Sequence, residues 1–246
     1  MSAWKSTGSA RTILGLLVAT VIFTFVAGTA FGQAATSTNY DAYQVGWYGN
    51  THMGFPEMDL NIVNPGSTGG YSLFDLHGPP YGDLCANIYV FTSDQEMVEC
   101  CSCYLSPNAL RTLNLDTDLT SNPLTGTTPH AGDVKIVSSR AEGDSIEVSV
   151  NRPSGLCTTS VSAGGITQTY DLAAFPYTPY GSLRAWDTHS RETTSSPVLY
   201  TLTETAFQRA NLPPDGSELR KLQSQCYTIQ VLEGSGHGRC TCGTGD

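Results

Sequence analysis

The chain has 246 residues, 39% hydrophobic and only 14% charged, with 25 glycines, which is enough apolar material for one sizeable core and is neither a disordered nor a fibrous composition. Twenty-two Asp and Glu against 12 Lys and Arg give a formal charge of -10, so a phosphate backbone would be repelled and a nucleic-acid partner is not expected. The low charge, well under the roughly 25% usual for soluble domains, together with abundant Gly, Ser and Thr, points to a β-rich extracellular protein.

Residues 1–12 carry Lys5 and Arg11 and no acid, and an almost unbroken apolar run follows from Ile13 to Phe31. With small residues at Gly32 and Ala34 behind it, segment 1–34 reads as a signal peptide cleaved near Ala34. The alternative is an uncleaved N-terminal anchor, because the run is long enough to span a bilayer. No Asn opens an Asn-X-Ser/Thr sequon free of proline, which is compatible with bacterial-type export. The expected location is secreted, extracellular or the cell envelope, with 35–246 forming one domain.

Short β-branched and aromatic stretches then alternate with Gly, Pro, Asn and Ser clusters, the pattern of an antiparallel, Greek-key-like β-sandwich. Strands are predicted over 58–63, 84–92, 133–138, 145–150, 165–172, 198–202 and 227–232. In 145–150, Ile146, Val148 and Val150 alternate with Ser145, Glu147 and Ser149, whereas 84–92 is apolar on both faces and reads as a central strand. Two helical signals lie near the C-terminus, 203–210 and 217–225. Asp215 and Glu218 have capping-box spacing before the second, and Leu219, Leu222 and Cys226 share one of its faces, so that face should lie on the sheet and carry Cys226 to a disulfide. Long loops are expected at 71–83, 114–132 and 175–197, where function often sits, and a flexible Gly-rich tail closes the sequence.

The eight cysteines, Cys85, Cys100, Cys101, Cys103, Cys157, Cys226, Cys240 and Cys242, are an even set in an exported chain and point to disulfides, with 105 formal connectivities. If 100–103 is extended, Cys101 and Cys103 share one face and Cys100 the other, and Cys240 and Cys242 likewise share a face. A Cys-Thr-Cys segment beside Cys-Cys-Ser-Cys would supply two partners, leaving Cys85, Cys157 and Cys226 to the remainder. A thiolate metal or iron–sulfur centre on the two clusters is the competing reading, although adjacent and one-apart spacings suit tetrahedral ligation poorly.

No Gly-x-Ser-x-Gly elbow or His-Glu-x-x-His helix is present. His52, His77, His130, His189 and His237 are scattered singly, Asp187 and His189 being the one close carboxylate–histidine pair. Asn114, Asp116 and Asp118 begin an alternation of oxygen side chains that is a weak calcium candidate, since Leu119 and Thr125 stand where an EF-hand needs Gly and Glu. No cofactor is expected. Tyr177, Tyr180 and Trp186 in the 175–186 segment, with Trp47 and Tyr48 as a second patch, are candidates for a sugar-stacking or protein-contact surface.

The stretch from Glu99 to Leu113, Glu-Cys-Cys-Ser-Cys-Tyr-Leu-Ser-Pro-Asn-Ala-Leu-Arg-Thr-Leu, the Asp118-Leu-Thr-Ser-Asn-Pro-Leu-Thr-Gly126 that follows, and the closing Cys-Thr-Cys resemble a group of exported bacterial proteins. The resemblance implies export and a disulfide-bearing domain and carries no activity, cofactor or site residue with it. The leading expectation is a secreted or cell-surface, non-catalytic structural or interaction protein: an envelope, matrix, filament or adhesion component. Its partner would be a protein or surface glycan, with self-association as one mode. A carbohydrate-binding module or secreted hydrolase is the first alternative, and a cysteine-thiolate metal protein the second.

Overall fold

The computed structural model describes residues 41–49, 58–67, 82–141, 157–163, 165–192, 200–232 and 237–242, within a compact unit that runs from Thr38. The predicted signal segment, the 145–150 strand, loop residues 71–81, His52 and His77 lie outside the described residues. Eleven strands are described: β1 Tyr43–Gly49, β2 Asp59–Val63, β3 Leu84–Thr92, β4 Met97–Leu105, β5 Leu110–Asn114, β6 Ala131–Arg140, β7 Thr158–Ala163, β8 Ile166–Asp171, β9 Arg184–Glu192, β10 Tyr200–Ala206 and β11 Gln208–Arg209. A single α-helix is described, α1, Ser217–Tyr227. Wide helical turns follow β5 (Leu115–Leu119) and α1 (Thr228–Leu232), and a tight one follows β8 (Leu172–Ala174).

The strands build a first sheet in the order β11-β1-β6-β3-β4, a second in the order β10-β9-β2-β5, and a separate β7-β8 hairpin. Every pairing between these strands is antiparallel. β3 carries apolar residues on both faces because both are covered. Leu84, Ala86, Ile88 and Val90 join Leu60 and Ile62 of β2 and Leu113 of β5 in the cluster between the sheets. Tyr89 and Phe91 point the other way, into a second cluster with Leu222 and Cys226 of α1, Ala173 and Ile229. The first sheet is thus the middle of three layers. The chain changes sheet within one residue at Phe207, whose amide donates to Ala185 O (3.0 Å) and whose side chain enters the inter-sheet core. Such corners are how sandwiches close one side.

Several elements differ from expectation. The 203–210 segment is not helical: it completes β10 and forms β11, because the alternating, β-branched Thr201, Thr203 and Thr205 pair in register with β9. The 227–232 segment is a helical continuation of α1 and not a strand. The 175–197 loop contains β9, and β1, β4, β5 and β7 were not among the predicted strands. The predicted second helix is present but without a capping box. Gly216, at φ 67°, takes the N-cap position, Asp215 Oδ1 accepts the Ser217 amide at 2.9 Å, and Glu218 turns away to Lys135 (2.8 Å) and the Tyr43 hydroxyl (3.3 Å). Among the described residues no helix is long and apolar enough to cross a membrane.

Candidate functional site

All eight cysteines are paired: Cys85–Cys157, Cys100–Cys226, Cys101–Cys240 and Cys103–Cys242. The alternation of β4 decides what each bond joins. Cys100 faces α1 and ties that helix to the sheet, while Cys101 and Cys103 face the seam between the sheets and hold the C-terminal segment. That segment runs parallel to β4, with Cys100 N donating to Gly238 O (3.0 Å) and a bridge between Cys100 and Arg239. Arg111 of β5, on the other sheet, donates to Cys242 O, and Thr241 N donates to Asp118 O at 2.9 Å. The segment is therefore a strap across the open side of the sandwich, opposite the Phe207 corner. Disulfides of this kind persist in an oxidising compartment, and with every sulfur bonded the thiolate centre considered from sequence has no free ligand.

The oxygen side chains at 114–118, the calcium candidates of the sequence, cap the wide turn on this side as well. Asn114 Oδ1 accepts the amides of Asp116 and Thr117 at 3.0 Å each, capping the wide turn. Asp118 accepts Asn114 N (2.8 Å) through one oxygen and the Thr241 hydroxyl (3.2 Å) through the other.

The five aromatic candidates do not form one surface. Tyr48 is fully buried and donates to Phe91 O at 2.7 Å, so alternation on β1 places it in the core. Tyr177 lies under the roof of the first sheet, its hydroxyl 2.8 Å from that of Tyr89, and burial drives its pKa well above the ordinary tyrosine value. Tyr180 is pinned at the end of β6, accepting from Arg140 (3.0 Å) beneath a guanidinium 4.2 Å from its ring centre. Trp47 is 62% exposed, but at the margin of the first sheet, with its ring over Gly49.

Trp186 is different. It stands on the outer face of the second sheet, opposite Asn61 on one side and Ala206 on the other. The outward positions around it form a grid: Thr188, Arg184 and Glu204, then Asp59, Asn61 and Val63 of β2, then Leu110, Thr112 and Asn114 of β5. The polar members are tied together. Asn61 Nδ2 donates to Thr188 Oγ1 (2.9 Å), Thr112 Oγ1 donates to Asn61 Oδ1 (2.8 Å), and Asn114 Nδ2 donates to Asp59 Oδ1 (3.2 Å). Trp186 belongs to none of the apolar clusters among the described residues. Asn61, Thr112 and Thr188 were not singled out from sequence; the signal available was alternation, with Leu60 and Ile62 in the inter-sheet core and Asp59, Asn61 and Val63 on the other side, where Asn61 is buried among its neighbours.

The buried titratable groups serve structure. Glu99 is fully buried, and burial pushes its pKa up to about 8 from an ordinary 4.5, against the opposing hydrogen bond from Asn122 N (2.8 Å). Asp171 is raised by burial as well, although Arg239 (2.6 Å) and Gln230 (3.0 Å) oppose the shift. A cleft of about 400 Å3 beside the strap is lined by Tyr170, Gln230, His237 and Arg239, and the charge of Arg239 is neutralised by Asp171. The Asp187–His189 pair is on a strand and not in a loop: the two groups are 3.2 Å apart, and the other oxygen of the buried Asp187 accepts Thr205 N at 3.1 Å. The chain matches no protein-family model, and no curated protein or solved structure is detectably similar to it.

Proposed function

We propose that the chain is an exported, non-catalytic binding domain of an oxidising compartment, and that the outer face of its second sheet holds a neutral carbohydrate. The observation that carries this reading is Trp186 standing within a hydrogen-bonded grid of amide and hydroxyl side chains. A sugar presents an apolar ring face edged by hydroxyls that both donate and accept, and an aromatic ring beside fixed Asn and Thr groups complements both. The formal charge of -10 disfavours acidic glycans. The four disulfides and the resemblance to exported bacterial proteins support the compartment.

The test is a screen of immobilised neutral glycans followed by calorimetry on any hit, with the wild type and Trp186→Ala side by side. Retention by the wild type and a loss of about tenfold or more in the variant, with its melting temperature preserved, is the expected result. Silence across the array, or unchanged binding by Trp186→Ala, would dispose of the carbohydrate reading.

A second reading is self-association across the same face, favoured by Leu110 and Leu202, which are 56% and 71% exposed there. It requires a concentration-dependent sedimentation coefficient that disappears in Leu110→Ser/Leu202→Ser.

A further inference from the structure

The strap has a chemistry of its own, separate from the Trp186 face. Seven of the eight cysteines are at most 3% exposed, and Cys242 alone is partly accessible. Thiol–disulfide exchange requires a thiolate to reach one of the bonded sulfurs, so access selects which bond reacts. We propose that the C-terminal strap is a reducible latch over the open side of the sandwich, and that the Cys103–Cys242 disulfide is the bond through which it opens.

The reductant is a dithiol. One of its thiolates attacks Cys242 Sγ, the Cys103–Cys242 bond breaks, and the electron pair leaves on Cys103, which takes up a proton. The second thiol of the reductant then displaces Cys242 from the mixed disulfide. One dithiol has been oxidised to a disulfide, and one protein disulfide has become two thiols. The sulfurs of Cys101, Cys103 and Cys242 lie within 4.8 Å of one another. Once Cys242 has left, the adjacent Cys101–Cys240 bond is open to a second equivalent of the dithiol, which reduces it to two thiols by the same two displacements.

What remains holding the strap is a short set of hydrogen bonds and ion pairs: Gly238 with Cys100 and Asn122, Thr241 with Asp118, Arg239 with Asp171, and Arg111 with the Cys242 carbonyl. β4 is the last strand of its sheet, and release of the strap frees the Cys100 amide on its outer edge, while Val98 O keeps the Leu124 amide and Cys100 O keeps Gln230 Nε2. Cys85–Cys157 and Cys100–Cys226 are untouched, and they keep the β7-β8 hairpin and α1 in place while the seam opens.

The experiment titrates the native oxidised protein with dithiothreitol, traps thiols by alkylation and maps them by mass spectrometry, with amide hydrogen exchange on the same samples. Labelling of Cys103 and Cys242 about tenfold or more ahead of Cys85, Cys157, Cys100 and Cys226 is expected. Exchange at the Cys100 amide should rise while β3 and β6 stay protected. Reduction of all four bonds in one unfolding event, or of Cys85–Cys157 first, would overturn the proposal. The variant Cys101→Ser/Cys103→Ser/Cys240→Ser/Cys242→Ser, which lacks both rungs, gives an independent check in the absence of reductant: fast exchange at Cys100 in a folded chain supports the latch, and full protection there refutes it.

Discussion

The phenyl ring of Phe207 lies against Gly46, in the space that a β-carbon on residue 46 would need. Phe207 is the residue at which the chain leaves the second sheet for the first, and Gly46 lies on β1, which pairs with β11 immediately after that switch. The glycine is required by a close approach of side chain to backbone. Gly46→Ala should destabilise the fold by about 2–3 kcal/mol through overpacking, and Phe207→Ala by about 3–5 kcal/mol through the cavity it leaves. Urea unfolding of both variants measures this, and an unaffected midpoint for Gly46→Ala would show that the corner relaxes without cost.

Glu99 makes stability depend on pH in a defined direction. Its pKa is raised in the folded chain, to about 8 from 4.5, so the unfolded chain releases this proton at lower pH than the folded one does. Stability should fall as pH rises through that window and level off above it. At about 1.4 kcal/mol per unit of pKa, the full penalty is on the order of 5 kcal/mol. Glu99→Gln should remove most of this slope and be more stable than the wild type at pH 8, less the cost of its buried amide protons. Thermal midpoints at pH 5 and pH 8 decide it, and equal slopes for the two proteins would refute it.

Glu218 works in the opposite sense. Against the desolvation that would raise it, the hydrogen bond and charge of Lys135 hold its carboxyl below the usual range. Its contribution is present above the unfolded value and is lost as pH falls through the lowered one. Glu218→Gln should loosen α1 by about 1 kcal/mol at pH 7, since the pair is partly exposed. The difference from the wild type should shrink toward zero under acid conditions, which helix-resolved hydrogen exchange at two pH values would show.

Ser102 is the polar pin between the first sheet and its roof. Its hydroxyl accepts Ala173 N (2.7 Å) and donates to Asn87 Oδ1 (2.7 Å), while Asn87 Nδ2 reaches Val137 O (2.9 Å) and Ser139 Oγ (3.1 Å). Ser102→Ala leaves two buried partners unsatisfied and should cost about 1–3 kcal/mol. The loss should be accompanied by faster exchange at the Ala173 amide.

The sequence shows those parts of the fold that depend on one strand at a time. The all-apolar run 84–92 reads as a covered central strand because each residue faces one of two cores. The odd and even cysteines of β4 announce two different destinations. The resembling motif also gains a physical meaning, since Arg111, Cys101 and Cys103 of that stretch grip the same strap. What could not be read depends on pairing between distant segments. Thr203 to Ala206 continue the alternation of β-branched threonines that starts at Thr201, a strand signal that becomes decisive only in pairing with β9. Trp186 becomes the centre of a polar grid through the register of β9 on β2, a relation between residues more than a hundred positions apart that no local pattern encodes.

The sequence separations of the disulfides also order events in time. Cys85 finds Cys157 after 72 residues, but Cys100, Cys101 and Cys103 wait 126, 139 and 139 residues for their partners. As the chain emerges from its N-terminal end, three neighbouring thiols are exposed together while the only later cysteine to hand, Cys157, belongs to Cys85. Oxidation that outpaces synthesis therefore offers Cys157 three non-native partners on β4 beside its native one, Cys85. Correct maturation requires delayed oxidation or an isomerase that reshuffles the early bonds, and the yield of native protein becomes a measure of the thiol-handling capacity of the compartment that receives it.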